Sequence, residues 1–436
     1  MVIDEVILRA LRNVGIESLN EMQQAVLDAG TTKDILLLSP TGSGKTLAFL
    51  LPLLTRLTKE EKRIQALIVA PSRELALQIE TVLRSLGTGH KINCCYGGHP
   101  FRTEKKSLEH APTILIGTPG RLLDHIERST INLDTVHTLI LDEFDKSLEL
   151  GFLSEMKEIL AHLPALRHRV LTSATEAVEI PAFTGVKSPV RLSFLATNKE
   201  SGRLTVRLVR SPQKDKLETL YRLLGELNGE SALVFCNLRD AVERVSDYLT
   251  AEKVDNVCFH GGMEQPERER ALSYFRNGSA TVFISTDLAS RGLDIPDVQH
   301  VVHYHLPLNE EAYIHRNGRT ARMHASGNAF LILNEVDSVP EYLMHEPEEF
   351  FLPAVAKTPK PSEWVTLTIN RGKRDKLSKK DIVGFLFQKG GLLKDELGVV
   401  EVKESNSFAA VKRGVYKSLF ARINGEKIKN MTAKFS

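Results

Sequence analysis

The stretch that most constrains the fold is ILLLSPTGSGKTLAFLLPLLTRL, from Ile35 to Leu57. Four apolar residues lead into a loop with two glycines, and an apolar run of helical length follows. A buried strand therefore has to turn sharply into a helix. Gly42 and Gly44 let the backbone N–H groups of Thr41, Gly42, Ser43 and Gly44 face phosphate oxygens at the helix N-terminus. Lys45 is then placed to reach the outer phosphates of a nucleoside triphosphate, and Thr46 to ligate Mg²⁺. The strict loop pattern asks for glycine where Ser39 stands, but TGSGKT is intact. An ordinary glycine-rich turn has no use for Lys-Thr after its last glycine, which weighs against a plain structural turn.

A triphosphate site of this kind needs a second strand whose end offers an acid to the metal. LDEFDKSLELGF, Leu141 to Phe152, follows an apolar run and supplies one, with Asp142 as the Mg²⁺ partner and Glu143 orienting the attacking water. Alone, Asp-Glu beyond a strand is usually a solvated strand end. Coupled to Ser39–Thr46, it becomes half of a hydrolytic site.

Around these motifs, β-rich runs alternate with helical stretches: ILLL, ALIVA from Ala66, TILIGT from Thr113, TLILDE from Thr138 and RVLTSAT from Arg169. Such alternation implies a parallel sheet covered on both faces. After TNKESG the pattern restarts with ALVFCN from Ala232, NVCFH from Asn256, TVFIST from Thr281, HVVHYHLP from His300 and AFLILN from Ala329. The expected organisation is α/β: one parallel-sheet domain over residues 1–200, a second over 203–340, a partly structured linker over 341–363 and a small module over 364–436. A chain of 436 residues has room for roughly three domains of about 100 to 200 residues, each with its own core.

The formal charge of +2 hides an uneven distribution. Glu363 to Ser436 carries 16 Lys plus Arg against 8 Asp plus Glu, a balance of +8 that leaves −6 on Met1 to Ser362. A basic module on a mildly acidic body points to a polyanionic partner. Cys94, Cys95, Cys236 and Cys258 have neither metal-ligand spacing nor the density of a disulfide-stapled secreted domain. The opening MVIDEVILRALRNVG lacks the basic start and continuous apolar core of a signal peptide. No apolar run approaches the roughly 20 residues of a membrane span. The expectation is a cytoplasmic monomer without a membrane partner.

With these motifs in this order, the chain resembles the DEAD-box RNA helicases of superfamily 2 over Met1 to Asn334. The resemblance implies two tandem RecA-like domains that close on ATP and Mg²⁺ and grip one RNA strand. GIESLNEMQ looks like the adenine-reading motif, with Gln23 as its glutamine. Pro71 and Arg73 in PSRELA, the pair Gly97 and Gly98, Thr118 and Arg121 in TPGR, and Thr286 in STDLASRGLDIP are implied RNA contacts. Ser173 and Thr175 in SAT, with Asp145, are implied to couple hydrolysis to strand separation. Asp294 is implied at the ribose, and VFCN and the HGGMEQPER run complete the set. In HRNGRTAR, Arg316, Arg319 and Arg322 recur every three residues, where guanidinium groups can meet phosphates. Arg319 and Arg322 are the implied arginine fingers, a contribution worth about 10³ to 10⁵ in rate.

Three departures from the family pattern stand out. Phe144 replaces alanine beside Glu143, while Asp145 stays available to Ser173 or Thr175. No aromatic precedes the Gln23 motif, since the first is Phe49, so adenine is expected to be held loosely and the Michaelis constant for ATP raised. Asn317 and Ala321 stand where isoleucine and glycine are usual. His260, His303, His305 and His315 have no acidic or thiol partner at ligand spacing and are expected to be structural, and Trp364, at a domain border, a packing anchor.

The C-terminal stretch VTLTIN, KKDIVGFLFQKGG, LGVVEVK, SFAAVK, GVYKSLFARING, KNMTAKF follows a βαββαβ order, the α+β plan of an RNA recognition motif. Sheet-face aromatics are nearly absent, with Phe408 alone beside Thr366 and Thr368. Charge remains: Arg371, Lys373, Arg374, Lys376, Lys379 and Lys380 crowd the loop and helix start as a candidate phosphate-binding surface. A solvated loop kept soluble by lysines is the plainer alternative. GKRDKLSKKDIVGFLFQKGGL resembles the C-terminal RNA-binding domain of DbpA-type helicases, which implies a hairpin of large-subunit (23S) ribosomal RNA, pre-ribosomal particles as partners and a role in ribosome assembly.

The expected function is an ATP-dependent RNA helicase that anchors by its tail and opens short nearby duplexes. An ATP-gated RNA clamp that separates strands poorly is the rival favoured by Phe144 and the altered adenine pocket. A DNA-directed translocase is disfavoured by PSRELA, TPGR and HRNGRTAR together.

Overall fold

The computed structural model describes residues 5–30, 33–40, 42–58, 62–98, 100–175, 179–195, 204–287, 295, 298–320, 327–343 and 345–436. Among them, seven strands form a first, wholly parallel sheet: β1 (Ile35–Leu38), β2 (Ala66–Val69), β3 (Ile92–Cys95), β4 (Ile114–Gly117), β5 (Thr138–Leu141), β6 (His168–Ser173) and β7 (Val190–Ser193). Their order across the sheet is β3-β4-β2-β5-β6-β1-β7. The short apolar runs are explained by burial on both faces. Ile35 and Leu37 point into a core shared with Phe49, Leu50 and Leu51 of the helix Lys45–Leu54, and Leu36 and Leu38 into the opposite core with Phe144. Each such buried side chain contributes about 1.5–3 kcal/mol. Strand and helix are thereby clamped on either side of the loop that joins them.

The second unit repeats the plan with β8 (Leu204–Arg210), β9 (Ala232–Cys236), β10 (Asn256–Phe259), β11 (Val282–Thr286), β12 (His300–His303), β13 (Gly327–Leu333) and β14 (Glu348–Glu349). They pair in parallel in the order β10-β11-β9-β12-β13-β8-β14. The two parallel sheets are the expected tandem RecA-like architecture. The same unit also carries the C-terminal module. Here β15 (Trp364–Ile369), β16 (Leu397–Val402) and β17 (Ser407–Lys412) form an antiparallel sheet ordered β15-β17-β16, backed by the helices Lys379–Gln388 and Arg413–Ile423.

One expectation changes in this unit, and the linker gains detail. KNMTAKF is not a full fourth strand. Lys429 and Asn430 take positive φ and turn the chain into the hairpin β18 (Lys427–Ile428) and β19 (Met431–Thr432), which leaves one bridge, Ile369 to Phe435, to extend the sheet. The stretch before the module is laid along the second sheet: β14 pairs with β8, Arg222 donates to the Pro353 carbonyl (2.6 Å), and Lys357 pairs with Glu226 (2.7 Å).

Candidate functional site

Parallel α/β sheets bind ligands beyond the carboxyl ends of their strands. In the first sheet β5, β6 and β1 are neighbours, with Leu141 level with Leu171 and Leu38 with Ser173. Register alone therefore gathers Asp142, Thr172, Ser173 and the loop after β1 at one edge. Gly42 and Gly44 have φ of +81° and +91°, in the left-handed region that favours glycine. A Cβ on Gly44 would also lie 2.7 Å from Gln23 Nε2. Ser39 fits where glycine is usual because its buried hydroxyl shares a 2.8 Å hydrogen bond with Ser43. Gln23 and Asn20 cap the helix Glu21–Asp28 reciprocally, and their amides also reach the loop carbonyls, Gln23 to Gly44 (a long 3.5 Å) and Asn20 to Ser43 (3.1 Å).

Lys45 is buried at 8% exposure, and its ammonium finds no hydrogen-bond partner among the described residues. A buried cation of this kind is costly unless an anion meets it. Asp142 is 3% exposed; burial pushes its carboxyl above the usual range, against the opposing charge of Lys45 and hydrogen bonds from Thr172 and the backbone. Thr172 donates to Asp142 at 2.6 Å and accepts the Glu143 N–H at 3.0 Å. Glu143 itself sits at φ +47°, a strained position for a residue with a Cβ, and begins the helix Phe144–Glu149. A glycine-rich loop, a buried ammonium with no hydrogen bond among the described residues and a buried acid fit a metal-bound triphosphate.

Asp145 accepts from Ser173 (2.9 Å) and from Thr175 (3.4 Å), the hydrogen bonds expected of it. Phe144 does not crowd Glu143: its ring is fully buried in the core with Leu139, Leu141 and Met156. Phe49 is likewise wholly buried, so it is not an adenine platform. Thr41, Asp294 and Arg322 lie outside the described residues.

The other half of the same edge is formed by the ends of β2, β4 and β3. Arg73 opens a helix capped by Ser72 and passes so close to Gly97 that a Cβ there would lie 3.3 Å from its Nη2. Gly98 has φ +96°. Arg121 is held by Glu104 (3.1 Å), Asp124 (3.1 Å) and the Tyr96 carbonyl (3.3 Å). Thr118 is the N-cap of the helix Pro119–Glu127. Pro71 is buried at the end of β2, so it shapes the backbone and offers no side chain to a ligand.

In the second unit, Arg316 is 1% exposed and not a phosphate-facing arginine. It forks onto Asp287 (2.6 and 2.7 Å) and donates to the His305 carbonyl (2.6 Å) and Asn237 (2.8 Å). One guanidinium thus ties the carboxyl ends of β11, β12 and β9. Arg319 follows at 4% exposure, and Thr286 is 8% exposed at the end of β11. His303 shares a hydrogen bond with Asn317 (3.1 Å) between the rings of Phe235 and Tyr313. His260 meets Glu243 (3.1 Å), and His305 accepts the Asn237 N–H (3.2 Å).

In the module, Lys373, Arg374, Lys376, Lys379 and Lys380 are all exposed, while Arg371 is half-buried and donates to the Thr432 carbonyl. Lys379 and Lys380 open a helix, where the backbone dipole already concentrates positive potential, at a cost of about 0.3–1 kcal/mol each. The Ser378–Asp381 capping box offsets part of it. Thr172, Asp287 and the Arg316–Asn237 link escape sequence reasoning. Their signal, a polar residue inside or just beyond a buried strand, acquires meaning only with the register.

Sequence comparisons agree with this geometry. The DEAD/DEAH box helicase family matches residues 20–181, the helicase conserved C-terminal domain 215–324 and the DbpA RNA binding domain 366–436. The chain is 34% identical to the ATP-dependent RNA helicase DbpA of Escherichia coli strain K12, covering 98% of this chain and 96% of that protein. It is 30% identical to the DbpA helicase of Bacillus subtilis strain 168, over 94% and 92%. Its fold is similar to that of yeast (S. cerevisiae) Dbp5 bound to RNA and ADP BeF3, with TM-score 0.70, 26% identity and coverage of 80% and 94%.

Proposed function

Because the chain belongs to the DEAD-box ATP-dependent RNA helicases, with a DbpA-type RNA-binding domain, we propose that it uses ATP and Mg²⁺ to open short duplexes near a hairpin of large-subunit ribosomal RNA, in assembly of that subunit. The observation that carries the catalytic half is the buried Lys45 ammonium, without a hydrogen-bond partner among the described residues, whose charge opposes the burial that raises the Asp142 carboxyl. In this reading Lys45 and the N–H groups of Thr41–Gly44 hold the phosphates, Thr46 and Asp142 hold the metal, and Gln23 and Asp294 hold the nucleoside. Mg²⁺, when bound, supplies neutralising charge on the outer phosphate oxygens. Glu143 orients the attacking water, and Arg319 and Arg322 stabilise the charge that develops. Asp145 reports the state of that site to Ser173 and Thr175. Arg73, Gly97, Gly98, Thr118, Arg121 and Thr286 take the RNA backbone.

The ribosomal part rests on the DbpA-type module and its exposed cations, which suit phosphates but carry no base-reading code of their own. The burial of Phe144 weakens one of the two features that favoured a poor-unwinding clamp, and the altered adenine pocket still favours it. A cytoplasmic monomer acting on pre-ribosomal particles completes the proposal. The test is RNA-stimulated ATP turnover by Lys45→Ala and Glu143→Gln. Both should abolish it while RNA still binds, and turnover near the parent's in either would overturn the site.

A further inference from the structure

All strands of the first sheet run the same way, so their amino ends also share one edge, opposite the one that gathers Asp142, Ser173 and the loop after β1. Thr138 at the start of β5 is level with His168 at the start of β6. The residues just before them are therefore neighbours, and the His137 carbonyl accepts the N–H groups of both Arg167 (3.0 Å) and His168 (3.1 Å). Arg56 joins them from beyond the helix Lys45–Leu54, its N–H bonded to the Leu53 carbonyl (3.0 Å). With Asp134 and Thr135, these four residues line a cavity of about 510 Å³. Small-molecule sites span roughly 300–1,000 Å³, so a ligand of that class fits.

The lining is basic, and the protein does little to neutralise it. Arg56 Nε and His168 Nδ1 are cut off from solvent, and neither finds a hydrogen-bond partner among the described residues. Asp34, the acid whose charge reaches both, is engaged by Arg169, accepting its N–H (2.8 Å) and pairing with its guanidinium (3.5 Å). Asp134, the acid of the lining, is exposed and accepts from the Asn132 amide (3.1 Å). The Thr135 hydroxyl donates to the Ile64 carbonyl (2.9 Å), and His137 Nδ1 shares a hydrogen bond with Thr138 (2.9 Å). Burial, then the charges of Arg56 and His137, pushes the His168 imidazole below its ordinary value, against the charge of Asp34. A basic edge that served only solubility would turn its charges out to water. Here Arg56 and His168 are half-buried around a cavity, where an unpaired polar group is costly.

We propose that this cavity is a second anion site, separate from the ATP site, which takes a small phosphate-bearing molecule between the guanidinium groups of Arg56 and Arg167 and the imidazoles of His137 and His168. Guanidinium forks meet phosphate oxygens two at a time, and a dianion supplies the negative charge that Asp34, held by Arg169, does not. The site goes beyond the proposed function and stands without it. The two sites lie at opposite ends of shared elements: the helix Lys45–Leu54 runs about 15 Å from one toward the other, and β5 and β6 run from His137 and Arg167 to Asp142 and Ser173. Their ligands do not compete for room.

The His168 imidazole reads the site directly in the full chain by NMR, its signal identified by its loss in His168→Asn. With the ATP site filled by ADP, at about pH 6.5, ribose 5-phosphate should move that signal toward the imidazolium position, saturably and with half-effect below about 1 mM. Arg56→Gln and Arg167→Gln should each weaken the effect by about tenfold, the loss of one charge-assisted contact, and Arg167 is exposed, so its replacement leaves the fold intact. In Lys45→Ala the effect should persist. Inorganic phosphate acting as well as the sugar phosphate would support the site and reduce its ligand to the free ion. No saturable movement up to about 10 mM overturns the proposal, as does a movement that both arginine variants leave intact. A movement lost in Lys45→Ala would belong to the ATP site and also overturns it. So does an equal response to citrate, which would remove the preference for phosphate. A single-stranded RNA effective at lower concentration than ribose 5-phosphate would make this edge an RNA track and overturn the small-molecule assignment.

Discussion

Thr172 divides one hydroxyl between the two acids at the end of β5, donating to Asp142 and receiving the Glu143 N–H. Thr172→Val keeps the shape and removes both bonds. It should lower kcat for ATP by about 10- to 100-fold, the usual loss when the partner that orients a metal-site ligand is removed, with little change in KM. Steady-state kinetics check this, and an unchanged kcat would mean that strand register alone aims the acids. Lys45 and Asp142 were legible in the sequence because each lies at the end of an apolar run in a pattern of fixed spacing. Thr172 was not, because LTSAT looks like any strand end until β6 lies beside β5. Arg316 was misplaced for a related reason: its spacing from Arg319 says nothing of Asp287, whose carboxylate draws it inward. His303 carries a pH signature. Burial first, then the charge of Arg316, pushes its imidazole down to about 3. Between that value and the ordinary 6.5 the unfolded chain binds the extra proton, so this contribution to stability is complete above pH 6.5 and is lost as pH falls toward 3. In His303→Asn the stability lost between pH 7 and pH 5 should shrink by about 2 kcal/mol. Urea unfolding followed at Trp364 measures it, and an unaltered loss would refute the assignment.

At the scale of elements, the central strands of the first sheet announced themselves and its edge strands did not. β1, β2, β4 and β5 are buried on both faces and stand out as apolar runs. INCC of β3 and VRLS of β7 close the two edges of the first sheet, where partial exposure admits polar residues and the pattern dissolves. β8 hides for another reason, since LTVRLVR carries two arginines yet lies inside the second sheet. The stretch over 341–363 suggested a linker by its proline and glutamate content, and composition has no means of showing that β8 accepts one more short strand. Gly225 tests that packing. In a free helix, Gly225→Ala would stabilise by up to about 1 kcal/mol; against the Lys357 carbonyl it should instead destabilise by about 1–3 kcal/mol. Chemical denaturation gives the sign, and a stabilised variant would place the crossing segment elsewhere.

For the whole molecule, the first sheet carries the proposed nucleotide site on one half of its carboxyl edge and the proposed RNA contacts on the other, and the second unit repeats the sheet plan with Arg316 as its tie. The module adds a basic surface. The sequence foretold the three-part order and the charge asymmetry, since both are local properties. It could not foretell that the module's polar sheet face, Thr366 and Thr368 with a lone Phe408, was polar because a helix of the core, Gln265–Arg276, binds it. The most direct measurement is ATP turnover against RNA concentration for the full chain and for Lys373→Ala/Arg374→Ala/Lys376→Ala, with a large-subunit ribosomal RNA hairpin fragment and a generic RNA of equal length. Half-activation should require at least about tenfold less of the fragment than of generic RNA, equivalent to about 1.4 kcal/mol, and the triple variant should lose that preference while keeping its maximal rate. Equal half-activation by both RNAs, or a preference that survives the triple variant, would contradict the account.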